Sequence, residues 1–555
     1  MIDARVSRRG FLPASAALIG ASAIAIPGAT QVLDSTVPAL ILQPGVHRVA
    51  ANTTIKGDVL VQPGAVIEIA AGRTLTLLGG LVAPIAPIFG GAGTVDLNRS
   101  RIVCAHPEWW GAAPGDGARD SLAAMQACLR AHPAMQLLPA DYYISDTLVV
   151  DRPFARVTGG GFRGTEPGKG TRIIVTSGRA DVMRVGPASA PPTVNDFAQN
   201  IAVHGVALSR SVAVDAAADR LPAGLRAQYL LFGEFRQVSA FEHAIGFVAQ
   251  GLVRSSFDDC VAFRSIPGRQ AGQPYRGFYL DGSRAIGLAG GNASLFLRGC
   301  NATIGGDPRV ADGVGMLIEG AFADTFVSQF ETAGIATGIR IDGRTAEIGG
   351  RARVGHINLH IDRAVIDQCG LVGIDIRDTS PTSLIDLADP YVAAAPRAEA
   401  AIRLDRMRGA ATITGGQLVG GTNADAGGQA LGIAASASHG IQVGGLKILD
   451  HPRPAMLVQC SGFALDMVVH NPGSRPGGAA VGLRDCDRGS ARLLVSGADG
   501  AFAGGIVLAG RMTRLRIDAT GVDAAAVGGA ANRVRLADGP IQIPSRTANL
   551  VVDGV

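Results

Sequence analysis

The sequence predicts an all-β chain wound as a right-handed parallel β-helix, a solenoid, with one short capping helix near its N-terminus. Short apolar segments alternate with period two between Pro-Gly and Ala-Gly turns, as at residues 58–61 and 65–69. The phrase Gly-Ile-x-Ile-x recurs at residues 338–342 and 373–377, and each such rung buries its apolar side only when a neighbour stacks on it. Glycine supplies 76 of the 555 residues and aromatics only 5%, which favours tight turns around an aliphatic core over a helical or disordered chain.

These patterns divide the chain into three predicted segments. Residues 1–29 form an export signal, residues 30–104 form N-terminal β-rungs, and residues 105–555 form the main β-helix with no second globular domain. One amphipathic helix is expected at residues 120–130, because Asp120 is a good N-cap and a single helical face then carries apolar side chains. Those side chains are Leu122, Met125, Cys128 and Leu129.

The N-terminus resembles a twin-arginine export signal. Arg8 and Arg9 are followed by Gly-Phe-Leu and then by a mostly apolar stretch from residue 14 to residue 26. Cleavage after Ala25 and cleavage after Ala29 are both compatible with this stretch. The resemblance implies a periplasmic or secreted protein with the twin-arginine export machinery as a partner.

Charge and hydropathy give little support for nucleic-acid or membrane partners in the mature chain. The net charge is +4, and losing residues 1–29 removes three arginines and one aspartate, which leaves +2. Beyond the first thirty residues no run of about 20 apolar residues lacks a charge or a Pro or Gly break, so no membrane span is expected in the mature form. We therefore expect no nucleic-acid partner.

Cysteine spacing and the absence of known motifs predict no cofactor. The seven cysteines are widely spaced with no Cys-x-x-Cys, and we interpret them as small buried apolar residues rather than as disulfides or metal ligands. The sequence contains no HExxH, P-loop, clustered zinc spacing or plausible dinucleotide fingerprint. Calcium stays open because Asp-bearing turns recur, although no loop has the spacing of a dedicated calcium site.

Residues 106–148 resemble the N-terminal segment of the pectate-lyase-like β-helix superfamily. That segment reads Gly-Ala-x-Gly-Asp-Gly-x-x-Asp-Ser/Thr, enters a helix that bears a glutamine, and then reads Leu-Pro-Ala-Gly-x-Tyr. The superfamily includes polygalacturonase-type hydrolases, exo-glucanases and phage tailspike depolymerases. The resemblance implies the β-helix fold and activity on carbohydrate polymers, although Asp141 replaces the usual glycine before the tyrosine. The matching residues are Gly111, Ala112, Gly115, Asp116, Gly117, Asp120, Ser121, Gln126, Leu138, Pro139, Ala140 and Tyr142.

Stacked coils should bring equivalent residues into columns about 4.8 Å apart, and two such columns supply the candidate catalytic residues. Aligning four coils on their Phe, Leu and Cys positions predicts one column of Cys260, Cys300, Glu331 and Cys369, in which Glu331 is out of character. The same alignment predicts a charged column of Asp258, Arg298, Gln329 and Asp367. The candidate catalytic residues are Asp258, Asp259, Arg298, Glu331 and Asp367.

Three interpretations of these residues stay open. In a glycoside hydrolase, which we favour, two carboxyls act as acid and as base or nucleophile. In a polysaccharide lyase, Arg254, Arg298 or a histidine would neutralise a uronate or abstract its proton; His204, His243, His356 and His360 are the histidines considered. The third is a plain surface ladder of Asp–Arg pairs, which stabilise little and have no catalytic role. For the whole protein, a non-catalytic surface protein that binds exopolysaccharide is a separate alternative.

Some other residues are expected to be structural. Glu319 and Asp324 are interpreted as turn residues, and Trp109 and Trp110 as seals of the core. A uronate epimerase is a weaker alternative function. The predicted partner is a polysaccharide or oligosaccharide substrate, and the oligomeric state is left open, a homotrimer included.

Overall fold

The computed structural model describes two compact units. The first comprises Met1–Val103 with Trp109–Gly111, and the second comprises Cys104–Glu108 with Ala112–Val555. The predicted export signal at residues 1–29 lies outside the described residues, as does His356. The described residues are 39–161, 169–215, 218, 220–265, 275–282, 284–285, 292–305, 313–343, 346–348, 351–353, 357–395, 398–420, 431–451, 453–470, 481–496, 506–520 and 534–536.

The first unit contains three small parallel sheets of three strands each. One sheet pairs Ala39–Leu42, Asp58–Val61 and Leu81–Val82. A second pairs Gly45–Val49, Ala65–Ile69 and Phe89–Gly91, and a third pairs Thr53–Ile55, Thr74–Leu77 and Thr94–Asp96. Within each strand buried aliphatic residues alternate with more exposed ones, which is the period-two pattern of the sequence. Trp109 is only 4% exposed, and its indole N–H donates a hydrogen bond to the Pro84 carbonyl.

The α-helix of the second unit spans Leu122–Ala131 and buries Met125, Cys128 and Leu129, as the sequence predicts. Its N-cap is Ser121 rather than Asp120. The Asp120 carboxylate instead accepts bonds from the Leu122 N–H and from the Ser145 backbone and hydroxyl, so it ties the helix start to a later turn. Two 3-10 helices occur at Pro107–Trp110 and Val194–Asp196.

The remainder of the second unit is dominated by one 36-stranded parallel sheet that winds through three faces. Face 1 contains Ala134–Gln136, Arg156–Thr158, Ser256–Asp258, Asn292–Arg298, Phe322–Ser328, Ile357–Asp362, Leu384–Ala388 and Ala410–Thr414. Face 2 contains Asp141–Ile144, Thr171–Val175, Val261–Arg264, Asn301–Ile304, Glu331–Ala333, Val365–Cys369, Tyr391–Ala394 and Gln417–Val419. Five longer strands bend from face 1 into face 2: Ala202–Arg210, Glu234–Phe241, Ile441–Leu449, Ser461–His470 and Asp487–Ser496.

Face 3 carries the strands that matter most for the site. It contains Leu148–Val150, Met183–Val185, Ala198–Gln199, Ala223–Leu231, Ile245–Val253, Tyr275–Gly282, Gly313–Gly320, Thr337–Asp342, Val372–Arg377, Ala400–Asp405, Leu431–Ser436, Arg453–Val458 and Val481–Arg484. Ile506–Thr520 pairs with the last strands of faces 3 and 1, and Val534–Leu536 pairs with it. The predicted parallel β-helix is confirmed.

Outside the 36-stranded sheet, the second unit has three short strands at Arg284–Ala285, Ala346–Ile348 and Arg351–Arg353. The first two are parallel and the last two antiparallel. Across the described ranges, no helix is long and apolar enough to cross a membrane.

The interior explains the recurring Gly-Ile-x-Ile-x phrase. In each copy the glycine lies at the start of a face 3 strand, where a side chain would collide with the inward residue of face 2. A Cβ at Gly338 would lie 2.5 Å from Ile366, and a Cβ at Gly373 would lie 2.3 Å from Val392. The two isoleucines that follow each glycine are fully buried, so the phrase encodes one tight corner and two core positions.

Candidate functional site

The structure brings together two of the five predicted site residues. Asp258 and Arg298 lie on adjacent coils of face 1, and the Arg298 guanidinium lies 2.5 Å from the Asp258 carboxylate. Beyond them the predicted column is wrong, because Arg298 is in register with Ser328 rather than with Gln329. Gln329 has a φ of 54°, so it is the corner residue between faces 1 and 2 and belongs to neither.

The predicted cysteine column is also wrong beyond its second member. Cys260 and Cys300 are both buried, but the next coil is shifted by one residue from the alignment. Asn301 pairs with Glu331, so buried Phe330 takes the place assigned to Glu331. Glu331 points outward on face 2 and is exposed, which removes the anomaly of an acid among cysteines.

The remaining predicted site residues do not converge with these. Asp367 is exposed on face 2, in register with Ala333, and so it lies outside the Asp258 column. Asp259 has a φ of 52° and forms the corner between faces 1 and 2. The five candidates are therefore spread over two faces and a corner.

The basic residues considered for a lyase are likewise scattered. Arg254 is a corner residue with a φ of 48°, His243 is buried, and His360 is stacked on Phe326 with its ring 3.6 Å from Asp386. His204 lies 3.1 Å from Glu234 on face 1.

A different set of acids does converge, on face 3. Asp281, Glu319 and Asp342 are in direct register on three successive coils, and we call them the acid column. Each follows a buried Leu or Ile within its strand, so alternation turns the acid away from that core position. Asp281 and Glu319 are half-buried, whereas Asp342 is buried. Parallel strands lie about 4.8 Å apart, which places neighbouring acids of the column at about that spacing and the outer two at roughly twice it.

A pocket of about 530 Å³ opens beside the first member of the acid column. Its wall combines arginine, tyrosine and amide side chains with Asp281, whose carboxylate accepts a 3.0 Å hydrogen bond from Gln250. Such a mixture of ring faces, amides and charges suits a polar ligand with apolar ring edges, as a sugar has. The lining residues are Ala188, Ser189, Ala190, Arg220, Leu221, Arg226, Gln228, Tyr229, Ile245, Gln250, Arg276, Tyr279 and Asp281.

Tyr279 links the pocket to the acid column. Burial raises the pKa of its phenol well above the ordinary range, and the charges of Asp281 and Glu319 act in the same direction. The phenol is thus protonated and bonds to Glu319. The Arg276 guanidinium lies over the tyrosine ring, 4.8 Å from its centroid, which fixes the ring at the pocket wall.

A buried carboxylate holds the arginine side of the pocket. Asp181 is fully buried and accepts bonds from the Arg226 guanidinium at 2.9 and 3.2 Å and from the Arg220 guanidinium at 2.8 Å. The Ala223 N–H donates a further bond of 2.7 Å to it. Both arginines are therefore oriented from behind, as a preorganised site requires.

The far end of the acid column meets a second arginine cluster. Asp342 is in register with Arg377, and Arg377, Arg340 and Arg403 all bond to the fully buried Asp375. These arginines compensate a desolvated carboxylate, so the cluster is explained by stability alone. Among the described residues no group of three His, Cys, Asp or Glu could hold a metal ion.

The acid column could have been found in the sequence. Three rungs end on the same pattern of a Leu or Ile, an acid and a glycine: Leu-Asp-Gly at 280–282, Ile-Glu-Gly at 318–320 and Ile-Asp-Gly at 341–343. Interpreting Glu319 as a turn residue was wrong, since it lies within the strand Gly313–Gly320. Aligning coils on these endings, instead of on cysteines, gives the observed register.

The molecule is thus a parallel β-helix with an acid-bearing outer face, and solved structures of this fold resemble it. A tailspike mutant of E. coli bacteriophage HK620 in complex with a pentasaccharide matches with 11% identity and a TM-score of 0.51, over 76% of each chain. A deletion mutant of that tailspike in complex with a hexasaccharide matches with 10% identity and a TM-score of 0.50, over 76% of this chain and 75% of that chain. The Agl-KA catalytic domain matches with 12% identity and a TM-score of 0.42, over 75% of this chain and 68% of that chain. No family model and no curated protein sequence matches the chain.

Proposed function

We propose that the protein is a glycoside hydrolase that cleaves a polysaccharide along face 3, with Asp281 and Glu319 as the catalytic carboxyls. The observation that carries this proposal is the register of the acid column beside a pocket of sugar-binding size. Two carboxyls on adjacent coils are the minimum equipment for this chemistry.

The spacing favours a retaining mechanism. Retaining enzymes hold their two carboxyls about 5–5.5 Å apart, which adjacent coils provide, whereas inverting enzymes need roughly 6.5–9.5 Å. One carboxyl protonates the glycosidic oxygen while the other attacks the anomeric carbon. Water then hydrolyses the glycosyl-enzyme ester, and the first group, now ionised, takes the proton from that water.

The neighbouring side chains support this assignment. Gln250 donates a hydrogen bond to Asp281 and Tyr279 bonds to Glu319, so each carboxylate has a hydrogen-bond partner of its own. Held rotamers keep the reacting oxygens in place without reorganisation when the substrate binds. The HK620 tailspike mutants are in complex with a pentasaccharide and a hexasaccharide, so oligosaccharides of that length are the ligands to try first.

Amide substitutions at the two carboxyls test the proposal directly. Asp281→Asn and Glu319→Gln are each expected to lower the rate of glycan cleavage at least about a hundredfold, because each removes a proton-transfer group or nucleophile. The rival site gives the matched control: Asp258→Asn on face 1 should cleave at the wild-type rate. Reducing-end release from a panel of bacterial polysaccharides is the measurement, with circular dichroism to confirm folding.

The products discriminate among the remaining functions. A hydrolase releases reducing ends without ultraviolet absorbance, whereas a lyase creates a conjugated double bond that absorbs, and an epimerase leaves chain length unchanged. If Asp258→Asn abolished cleavage while Asp281→Asn did not, the active site would be on face 1. Binding without any cleavage by the wild-type protein would make it an exopolysaccharide-binding protein.

The site of action is part of the same proposal. A polysaccharide too large to enter a cell must be met outside the cytoplasm, and the signal-like residues 1–29 would deliver the protein to the periplasm or beyond. Neither a cofactor nor a metal is needed for the two-carboxyl mechanism.

A further inference from the structure

The pocket beside the acid column carries more positive than negative charge. Arg220, Arg226 and Arg276 line it, while Asp281 is the acid at its wall. Asp181 lies fully buried behind it and neutralises one guanidinium, so three positive charges face two negative ones. A site built to hold only neutral sugars has no use for that excess, since a desolvated cation without a partner is costly.

Two of the arginines are held in place at the pocket by Asp181. Arg226 is only 9% exposed and is held by both Asp181 oxygens, which makes it the fixed floor of the pocket. Arg220 keeps 57% of its side chain exposed while one of its nitrogens bonds Asp181. Burial lowers the pKa of Arg220 and the charge of Asp181 opposes that shift, while the positive charges of Arg226 and Arg184 add to it. An arriving anion would relieve the repulsion among these arginines.

Arg276 approaches from the opposite wall. Its guanidinium lies over the Tyr279 ring, so its planar nitrogen fork is held at the wall of the pocket, next to the acid column. A planar fork of N–H donors matches a carboxylate in a bidentate geometry that neutral hydroxyls cannot satisfy. The two amides of the wall are already engaged, since Gln228 donates to the Pro187 carbonyl and Gln250 donates to Asp281.

We propose that this pocket binds the carboxylate of a uronic acid unit, through Arg276 and Arg220, one subsite away from the bond cleaved at the acid column. The inference rests on the proposed function for its second half only, since the pocket would bind a uronate whether or not the acids cleave. The substrate class is therefore an acidic polysaccharide, and the acid column would reject its carboxylate from the cleavage subsite by charge repulsion.

A matched pair of substrates isolates the carboxylate. An acidic polysaccharide and its carboxyl-reduced form, in which each uronic acid has become the neutral sugar, differ at the group that the arginines would bind. The wild-type protein is expected to show a KM about tenfold lower for the acidic form, with a similar kcat. Arg220→Gln and Arg276→Gln should each raise KM for the acidic polymer about tenfold and leave KM for the reduced polymer unchanged.

Controls keep the outcomes separate. Arg236→Gln removes an exposed arginine of face 1 and should change neither KM. Equal KM for the two polymers with the wild-type protein would overturn the uronate pocket and leave the hydrolase standing. If nothing is cleaved, titration calorimetry with uronic acid oligosaccharides decides: binding lost in Arg276→Gln retains the pocket without the hydrolase, and no binding overturns the pocket.

Discussion

At the scale of single residues, two fully buried carboxylates of the solenoid are each paired with arginine side chains. Asp375 is fully buried but three arginines bond to it, and Asp181 is fully buried with two arginines and a backbone N–H. Removing one partner from such a group leaves a buried charge uncompensated, which destabilises the folded protein. Buried carboxylates in this chain therefore act as anchors for arginine side chains.

His243 is a buried ionisable group that is kept neutral. Its ring is 1% exposed, and its Nε2–H donates a 3.1 Å hydrogen bond to the Leu208 carbonyl. Burial, aided by the charge of Arg210, lowers its pKa from 6.5 to about 3. The unfolded chain then binds a proton between these two values that the folded protein does not bind.

The protein should therefore lose stability as the pH falls below 6.5. Above that pH, His243 leaves the free energy of unfolding constant. Between about pH 6 and about pH 3, the free energy of unfolding falls by about 1.4 kcal/mol for each unit by which the pH drops. His243→Gln can keep a bond to Leu208 but cannot titrate, so its free energy of unfolding should fall less steeply with acid. Denaturant unfolding from pH 7 to pH 4 measures both slopes, and identical slopes would contradict the assignment.

At the scale of the structural element, the coils at Gly338 and Gly373 close around a corner between faces 2 and 3 that has no room for a side chain. The glycine that opens a face 3 strand approaches both the inward residue of face 2 and the backbone of the next coil. At Gly338 an added Cβ would lie 2.5 Å from Ile366 and 2.7 Å from the Gly373 carbonyl. The clash with backbone cannot be relieved by a rotamer change.

Gly338→Ala should destabilise the protein by about 1–3 kcal/mol, because overpacking forces the coil open. The control is Gly444→Ala, in the strand Ile441–Leu449 that bends from face 1 into face 2, where an added Cβ meets nothing within 4 Å. That control should be neutral or slightly stabilising, since alanine restricts the unfolded chain. Thermal unfolding followed by circular dichroism compares the two. An equal loss in both variants would mean that corner packing does not set the requirement for glycine.

The sequence predicts elements of this kind well and their register poorly. Alternation and turn residues locate the rungs and the helix at 122–131, because local patterning controls both. Register depends on loop lengths between coils, and a slip of one residue exchanged exposed Glu331 for buried Phe330. The neighbours Asp258 and Arg298 were predicted because no such slip separates their two coils.

The acid column was missed for a related reason. Each of its members precedes a glycine, and an acid next to glycine is common in turns, so local chemistry pointed away from a strand. Only the stacking of three coils makes Asp281, Glu319 and Asp342 neighbours. The column is formed by residues far apart in the sequence. It can be recognised in the sequence only when the rungs are aligned on their acid-glycine endings.

At the scale of the whole molecule, nothing in the described fold depends on an oxidising compartment. All seven cysteines are free, and six of them are buried. Burial raises the pKa of Cys460 to about 11 and that of Cys369 to about 12, so both thiols stay protonated and unreactive.

The proposed export of the folded protein through the twin-arginine route can be measured. Replacing Arg8 and Arg9 with lysine should retain the precursor in the cytoplasm, because the twin-arginine machinery reads that pair, and the retained protein should already be protease-resistant. A signal that also worked through the unfolded-chain route would continue to export the lysine variant. Immunoblots of periplasmic and cytoplasmic fractions distinguish the two, with limited proteolysis of the retained fraction as the test of folding. An exported lysine variant, or a retained one that is fully degraded, would contradict export after folding.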